Sequence, residues 1–308
     1  MLPELLDKAP FILAEAAIAE RLRRMPEITL HPSLFNTPLI YQPAAAKLMA
    51  GLYRQYRDIA AEASIPIFHT APTWRLDQER IAAAGVPRSI NADAVQYLRT
   101  LQRSWQLEES PIVVGALLGP RNDCYRPEEA LSTEEARKFH AWQADELAAA
   151  GAEFLLAQTM PSVREATGIA QAMAATGLPY FVSFVIDRQG RVLDGNPLPD
   201  AVEKIDAALE RPPSGYLVNC TFPTFLCASE QPAALFQRLI GLQANASSKD
   251  LSELDGADEL AQDSITDWAG AMAELHQDYG LKILGGCCGT DDQFLRALVS
   301  RCLTGQGD

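Results

Sequence analysis

The chain has 308 residues, 48% of them apolar, and a formal net charge of −14. So much apolar material excludes a disordered chain, and no apolar run reaches the roughly 20 residues needed to cross a bilayer. The acidic balance argues against nucleic acid and anionic membrane as partners and leaves a small-molecule substrate. The opening stretch, MLPELLDKAPFILAEAAIAERLRRM, carries acids early and lacks a basic start and a small-residue cleavage site. It does not read as a signal peptide, so a cytoplasmic protein is expected. Six cysteines without an export signal suggest metal-binding or reactive thiols more than a disulfide framework.

In chain order, the strand-like runs are FILA (11–14), IPIFHT (65–70), IVVGALLG (112–119), EFLLAQT (153–159), YFVSFVI (180–186), YLVNC (216–220), LIGLQAN (239–245) and LKILGG (281–286). Amphipathic stretches lie between them, including 45–63, 132–151 and 162–177. Ser132 or Thr133 can cap the second of these, and Gly151 can end it. The third closes at Gly177, with Pro179 just beyond. Eight such runs separated by helices favour a (β/α)₈ TIM barrel over an open doubly wound sheet. No GxGxxG turn follows the first run, which weakens a dinucleotide-binding alternative. One domain spanning 1–308 is expected, and the acidic segment 247–264 reads as a solvated loop with a short helix.

At 281–291 the chain reads LKILGGCCGTD. Neighbouring side chains on a regular strand point to opposite faces, so adjacent thiols do not ordinarily share a target. Gly285, Gly286 and Gly289 relax the backbone around Cys287 and Cys288, and two convergent thiols suggest a soft metal. Reactive groups of a barrel gather at the C-terminal ends of its strands. The sixth run ends in Val218-Asn219-Cys220, two strand positions from the Cys287-Cys288 pair, so three thiols can meet above the mouth. Three thiolates with an open fourth position match a catalytic zinc site, whereas four match a structural one. Cys124, Cys227 and Cys302 remain as fourth candidates, with Cys302 read as a small hydrophobe in the terminal helix. A buried apolar cysteine pair or a strained vicinal disulfide stays open beside zinc on these residues alone. His31, His69, His140 and His276 show no ligand or triad spacing, and His69 ends the second run as a structural or mouth-lining group.

VNC (218–220) and GLKILGGCCGTD (280–291) resemble the homocysteine S-methyltransferase family. Similarity continues in order through LLGP (117–120), EEARKFHAWQADELAAAGAEFLLAQTMPSVREA (134–166), VSF (182–184) and DGNPLPDAV (194–202). The resemblance implies a (β/α)₈ barrel with a three-cysteine site for Zn²⁺, held by Cys220, Cys287 and Cys288. It also implies methyl transfer from a sulfonium donor, S-methylmethionine or S-adenosylmethionine, to the thiol of homocysteine, giving methionine. The chemistry is consistent, since a free thiol with a pKa of about 8.5 is mostly protonated at neutral pH and a poor nucleophile.

The chain departs from that family at the residues that face the substrate amino group. An Asp-Gly pair after the first strand becomes Ala14-Glu15-Ala16, and Glu-Thr after the fourth becomes Ala157-Gln158-Thr159. Glu15, Gln158 and Thr159 are the expected substrate contacts, with one charge fewer than usual. The family's Thr-Asn-Thr-aromatic pattern becomes Thr70-Ala71-Pro72-Thr73-Trp74. Asn219 and Asn245 are expected at the mouth, on substrate or as loop caps. Phe35 and Trp74 offer faces to a sulfonium or simply pack. Another small thiol or a selenol is the alternative acceptor. A different class, a non-catalytic three-cysteine metal-binding barrel, would show a fourth protein ligand such as Cys227.

Overall fold

The computed structural model describes residues 2–254 and 259–304. Eight parallel strands close into a barrel in sequence order. They are β1 (Ile12–Ala14), β2 (Ile67–Ala71), β3 (Ile112–Leu118), β4 (Phe154–Met160), β5 (Tyr180–Phe184), β6 (Gly215–Thr221), β7 (Leu239–Ala244) and β8 (Ile283–Gly286). Closure is made by β1 against β8, with Ile12 beside Ile283 and Leu13 beside Leu284. Helices pack around the outside, so both faces of the sheet are buried and the strands read as apolar runs. The expected (β/α)₈ architecture is therefore present.

Alternation along each strand sorts the core into two parts. Ile12, Phe68, Val113, Phe154, Leu156, Phe181, Leu217 and Ile283 pack together inside the barrel. Their neighbours Leu13, Ile67, Val114, Leu155, Val182 and Leu242 pack outward against the helices. Phe68 and Phe154 have ring centroids 4.6 Å apart, and Phe154 and Phe181 5.6 Å apart. Burying each ring contributes about 1.5–3 kcal/mol. Gly115 makes room for this plug, because a Cβ there would lie 2.3 Å from the Phe154 ring. A short helix, Leu2–Lys8, adds Leu2 to the same cluster. The lower barrel is thus solid, and open space is left above it.

The helix Thr133–Ala149 starts with Ser132 as N-cap, in a reciprocal capping box with Glu135. Gly151 follows its end at φ 88°, a conformation glycine adopts without a Cβ penalty. Within the acidic segment 247–264, Leu251–Leu254 forms a single helical turn; residues 255–258 lie outside the described residues. No described helix is long and apolar enough to cross a membrane.

Candidate active site

Cys220 sits at the end of β6, and Cys287 and Cys288 directly follow β8. Their three sulfurs all lie within 4.8 Å of one another, and among the described residues no other cysteine, histidine or acid joins this group. Cys220 and Cys287 approach to 2.8 Å between sulfurs. The group therefore offers three soft donors to one ion, drawn from two strand ends.

Local backbone irregularity brings them together. Register shifts between Asn219 and Thr221 on β6 and between Ala157 and Met160 on β4. Cys220 and Thr159, inside those shifts, have φ of 53° and 63°. Non-glycine residues in this region cost of order 1–3 kcal/mol each and collect at functional sites. On β6 the result is that adjacent residues share a target. Asn219 Nδ2 donates to Cys220 Sγ at 3.2 Å and to Thr159 Oγ1 at 2.7 Å. Its Oδ1 accepts from Thr159 N–H at 2.9 Å and Ser183 Oγ at 2.6 Å. All four hydrogen-bonding places of this fully buried amide are filled within the protein. Asn219 does not line the cavity above, and of its two expected roles these contacts match the bracing of the Cys220 loop.

After β8, Cys287 N–H donates to Ala244 O at 2.7 Å, and Cys288 N–H donates to Asn245 Oδ1 at 3.2 Å. The β7 end thus pins both cysteine backbones. Gly286 permits this turn, since a Cβ there would lie 2.1 Å from Thr290 Oγ1. Thr290 in turn donates its hydroxyl to Cys287 O at 2.7 Å. Hydrogen bonds from Cys287 and Cys288 hold the Cys220 thiol well below the usual thiol range. Their bonds to Cys220 push Cys287 well above that range and Cys288 up to about 12. Tyr125 lies within electrostatic reach, and the Cys220 charge raises its phenol well above normal.

Above the sulfurs opens a cavity of about 820 Å³, lined by Glu15, Gln158, Thr159, Asn245 and the three cysteines among others. Cys124 and Tyr125 reach it on the loop after β3. That loop is tied down by the fully buried Glu165, which accepts from Arg121 N–H at 2.8 Å and Leu131 N–H at 3.2 Å. Over the same residues the match to known proteins is extensive. The family model for homocysteine S-methyltransferase matches residues 12–302.

The chain belongs to the homocysteine S-methyltransferase family. Homocysteine S-methyltransferase YbgG of Bacillus subtilis is 22% identical over 96% of this chain and 96% of its own length. Homocysteine S-methyltransferase of Escherichia coli is 23% identical, covering 96% of this chain and 97% of the relative. The metallated form of the homocysteine methyltransferase MmuM from Escherichia coli superposes with a TM-score of 0.73 at 19% identity, covering 97% of this chain and 99% of that one. Its oxidized form superposes at 0.75 with 20% identity. These superpositions agree with the (β/α)₈ fold.

Two of the expected substrate contacts, Glu15 and Gln158, are engaged by other side chains of the chain. The Glu15 carboxylate accepts from Thr70 N–H at 3.1 Å, from the Thr70 hydroxyl, and lies 3.4 Å from His69 Nδ1. Gln158 Nε2 donates to Gln243 Oε1 at 2.9 Å, and Gln243 Nε2 reaches Glu15 O at 3.4 Å. Gln243 escaped the sequence reading. Its signal was present, because it sits two residues before Asn245 and so shares a strand face with it.

The remaining candidates divide. Cys227 does not line the cavity and donates its Sγ–H to Arg188 O at 3.4 Å. Cys302 is buried in the helix Asp292–Thr304 among apolar side chains. Cys124 lines the cavity but lies outside the three-sulfur group. The expected aromatic faces are partly taken: the Arg75 guanidinium sits 4.5 Å from the Trp74 ring centroid and 5.9 Å from that of Phe35. Trp74 Nε1–H donates to Gln158 O at 2.9 Å, which ties this wall to β4.

Proposed function

We propose that the protein is a zinc-dependent S-methyltransferase that moves a methyl group from a sulfonium donor, S-methylmethionine or S-adenosylmethionine, to homocysteine, giving methionine. The observation that carries this reading is the three-thiol group at the base of a cavity large enough for two small substrates. The donor set fits zinc by its chemistry, because three cysteine sulfurs gathered within 4.8 Å of one another offer soft ligands to a single ion. Cys220, Cys287 and Cys288 would hold the ion. When bound, zinc supplies the Lewis acidity that keeps an acceptor thiol deprotonated at neutral pH.

The chain's own residues do the rest. Asn219 and Asn245 fix the cysteines, and partners behind metal ligands set ligand orientation and basicity. The plugged barrel floor shields the sulfurs from below, so attack comes from the cavity side. The methyl group leaves the donor with the C–S bonding pair staying on the donor sulfur, while a lone pair of the acceptor sulfur forms the new C–S bond. The thiol proton is released to solvent. No general base is demanded of the chain, because a neutral thioether is a good leaving group.

Incubating zinc-loaded protein with homocysteine and each sulfonium donor, and quantifying methionine, tests the proposal. Methionine formed with at least one donor, and lost with Cys287→Ser, is the expected result. No transfer with any donor from a folded, zinc-loaded protein would overturn it.

A further inference from the structure

Four arginines reach the cavity wall or its rim: Arg23, Arg24, Arg75 and Arg80. Three have carboxylate partners. Arg24 Nε lies 2.6 Å from Glu20 Oε1, Arg23 lies 3.7 Å from the same carboxylate, and Arg80 pairs with Asp77. Arg75 differs. It donates to Asn122 O at 3.1 Å and stacks on Trp74 and Phe35, yet among the described residues no carboxylate forms a salt bridge with it. Its buried Nε–H has no hydrogen-bond partner among them either. Burial lowers its pKa, Arg80 adds to that, and Cys124, Asp123 and Asp77 act electrostatically in the opposite sense.

That is anomalous in a chain with 40 acids and 26 bases. Arg75 is half-buried, and a partly desolvated guanidinium with a buried, unpartnered N–H is ordinarily paired with an anion. Arginine's planar fork fits a carboxylate better than any other anion reader of its size. The opposite wall offers little to an ammonium, since Glu15 is engaged by Thr70 and His69 and Gln158 is neutral and engaged by Gln243.

We infer that Arg75 is a specificity-determining residue that binds a substrate carboxylate, so the enzyme selects amino-acid thiols or sulfonium donors chiefly by their acid group and not by their ammonium. Stacking on Trp74 and Phe35 pre-orients the guanidinium, which lowers the ordering cost of binding. The inference rests on the methyl-transfer reading for its substrates, but the carboxylate site is a property of the cavity wall and is measurable by binding alone.

The test compares wild type, Arg75→Met and Arg75→Lys in two arms. One arm pairs homocysteine with its methyl ester at a fixed donor; the other pairs S-methylmethionine with its methyl ester at a fixed acceptor. Equilibrium binding of the same four compounds is measured calorimetrically on zinc-loaded and metal-free protein, so the inference is decided even if turnover is absent. In one arm, Arg75→Met should raise KM or Kd for the acid by about ten- to a hundredfold while the ester is unaffected. That arm identifies which substrate carries the carboxylate. Arg75→Lys, which keeps the charge without the fork, should lose less. If Arg75→Met does not fold, an acid-only loss with Arg75→Lys supports the inference. Equal losses for acid and ester show that Arg75 only holds the Asn122 loop, and unchanged values for both in both arms likewise overturn the assignment.

Discussion

The two sides of the barrel mouth are built on different plans. On the β6–β8 side, polar groups converge on sulfur: Asn219 on Cys220, Asn245 on the Cys288 backbone, and Thr290 on Cys287 O. On the β1–β4 side, polar groups are turned toward one another: Thr70 to Glu15, Gln158 to Gln243, and Trp74 to Gln158 O. The first side matches the family pattern and, in the proposed function, supplies the reactive centre. The second departs from that pattern and, on the same proposal, decides what is held against that centre. Methyl transfer between sulfurs needs a fixed, activated thiol, so the sulfur side is tightly constrained. Substrate choice needs only a difference of a few kcal/mol, the scale of one or two charged hydrogen bonds.

The comparison breaks most sharply at the sulfurs. Replacing Cys220, Cys287 or Cys288 with serine should remove tightly bound zinc and reduce methyl transfer to background, because a neutral hydroxyl is a poor match for a soft thiolate site. Metal analysis and a methionine assay on the same preparations check this. Full zinc content and activity in Cys287→Ser would contradict it, and loss of folding with loss of zinc would favour a structural site. One step out, Asn219→Ala removes the brace beneath Cys220. Zinc affinity or kcat should fall by about ten- to a hundredfold while KM for the acceptor changes little. A pure KM effect would instead place Asn219 on substrate.

The other side should respond differently. Gln158→Glu restores a second acid to the clamp and should lower KM for homocysteine by about tenfold, with kcat nearly unchanged. The gain is opposed by the lost donation to Gln243, whose amide must turn to present its Nε2. A thiol without an amino group should gain nothing. Equal improvement for both thiols, or weaker use of homocysteine, would show that this wall no longer faces an amine. Far from both sides, Ser132→Ala breaks the capping box of the helix Thr133–Ala149. It should cost about 1 kcal/mol of stability in denaturant unfolding and leave both kinetic constants alone.

Much of the sulfur side could be read from sequence, and much of the clamp could not. Eight apolar runs and their spacing give the barrel, and barrel order alone brings the end of the sixth strand near the end of the eighth. What the runs do not reveal is the bulge that turns Cys220 to φ 53° and lets it share a target with Asn219. Strict alternation would have sent those two side chains to opposite faces. The clamp depends on pairings between residues 54 to 228 positions apart, such as Glu15 with His69 and Gln243 with the Glu15 carbonyl. Side-chain pairing across a barrel mouth leaves no periodic signal. Arg75 illustrates the same limit. Beside Trp74 in sequence it belongs to no motif, and its place in the cavity, with no carboxylate salt bridge among the described residues, is what marks it out.

Zinc K-edge absorption with and without homocysteine tests the central claim most directly. Three protein sulfurs and one lighter ligand in the free enzyme, becoming four sulfurs when homocysteine is added, is the result this account predicts. Four protein ligands in the free protein, unchanged by homocysteine, would contradict it and make the thiol group a closed metal site.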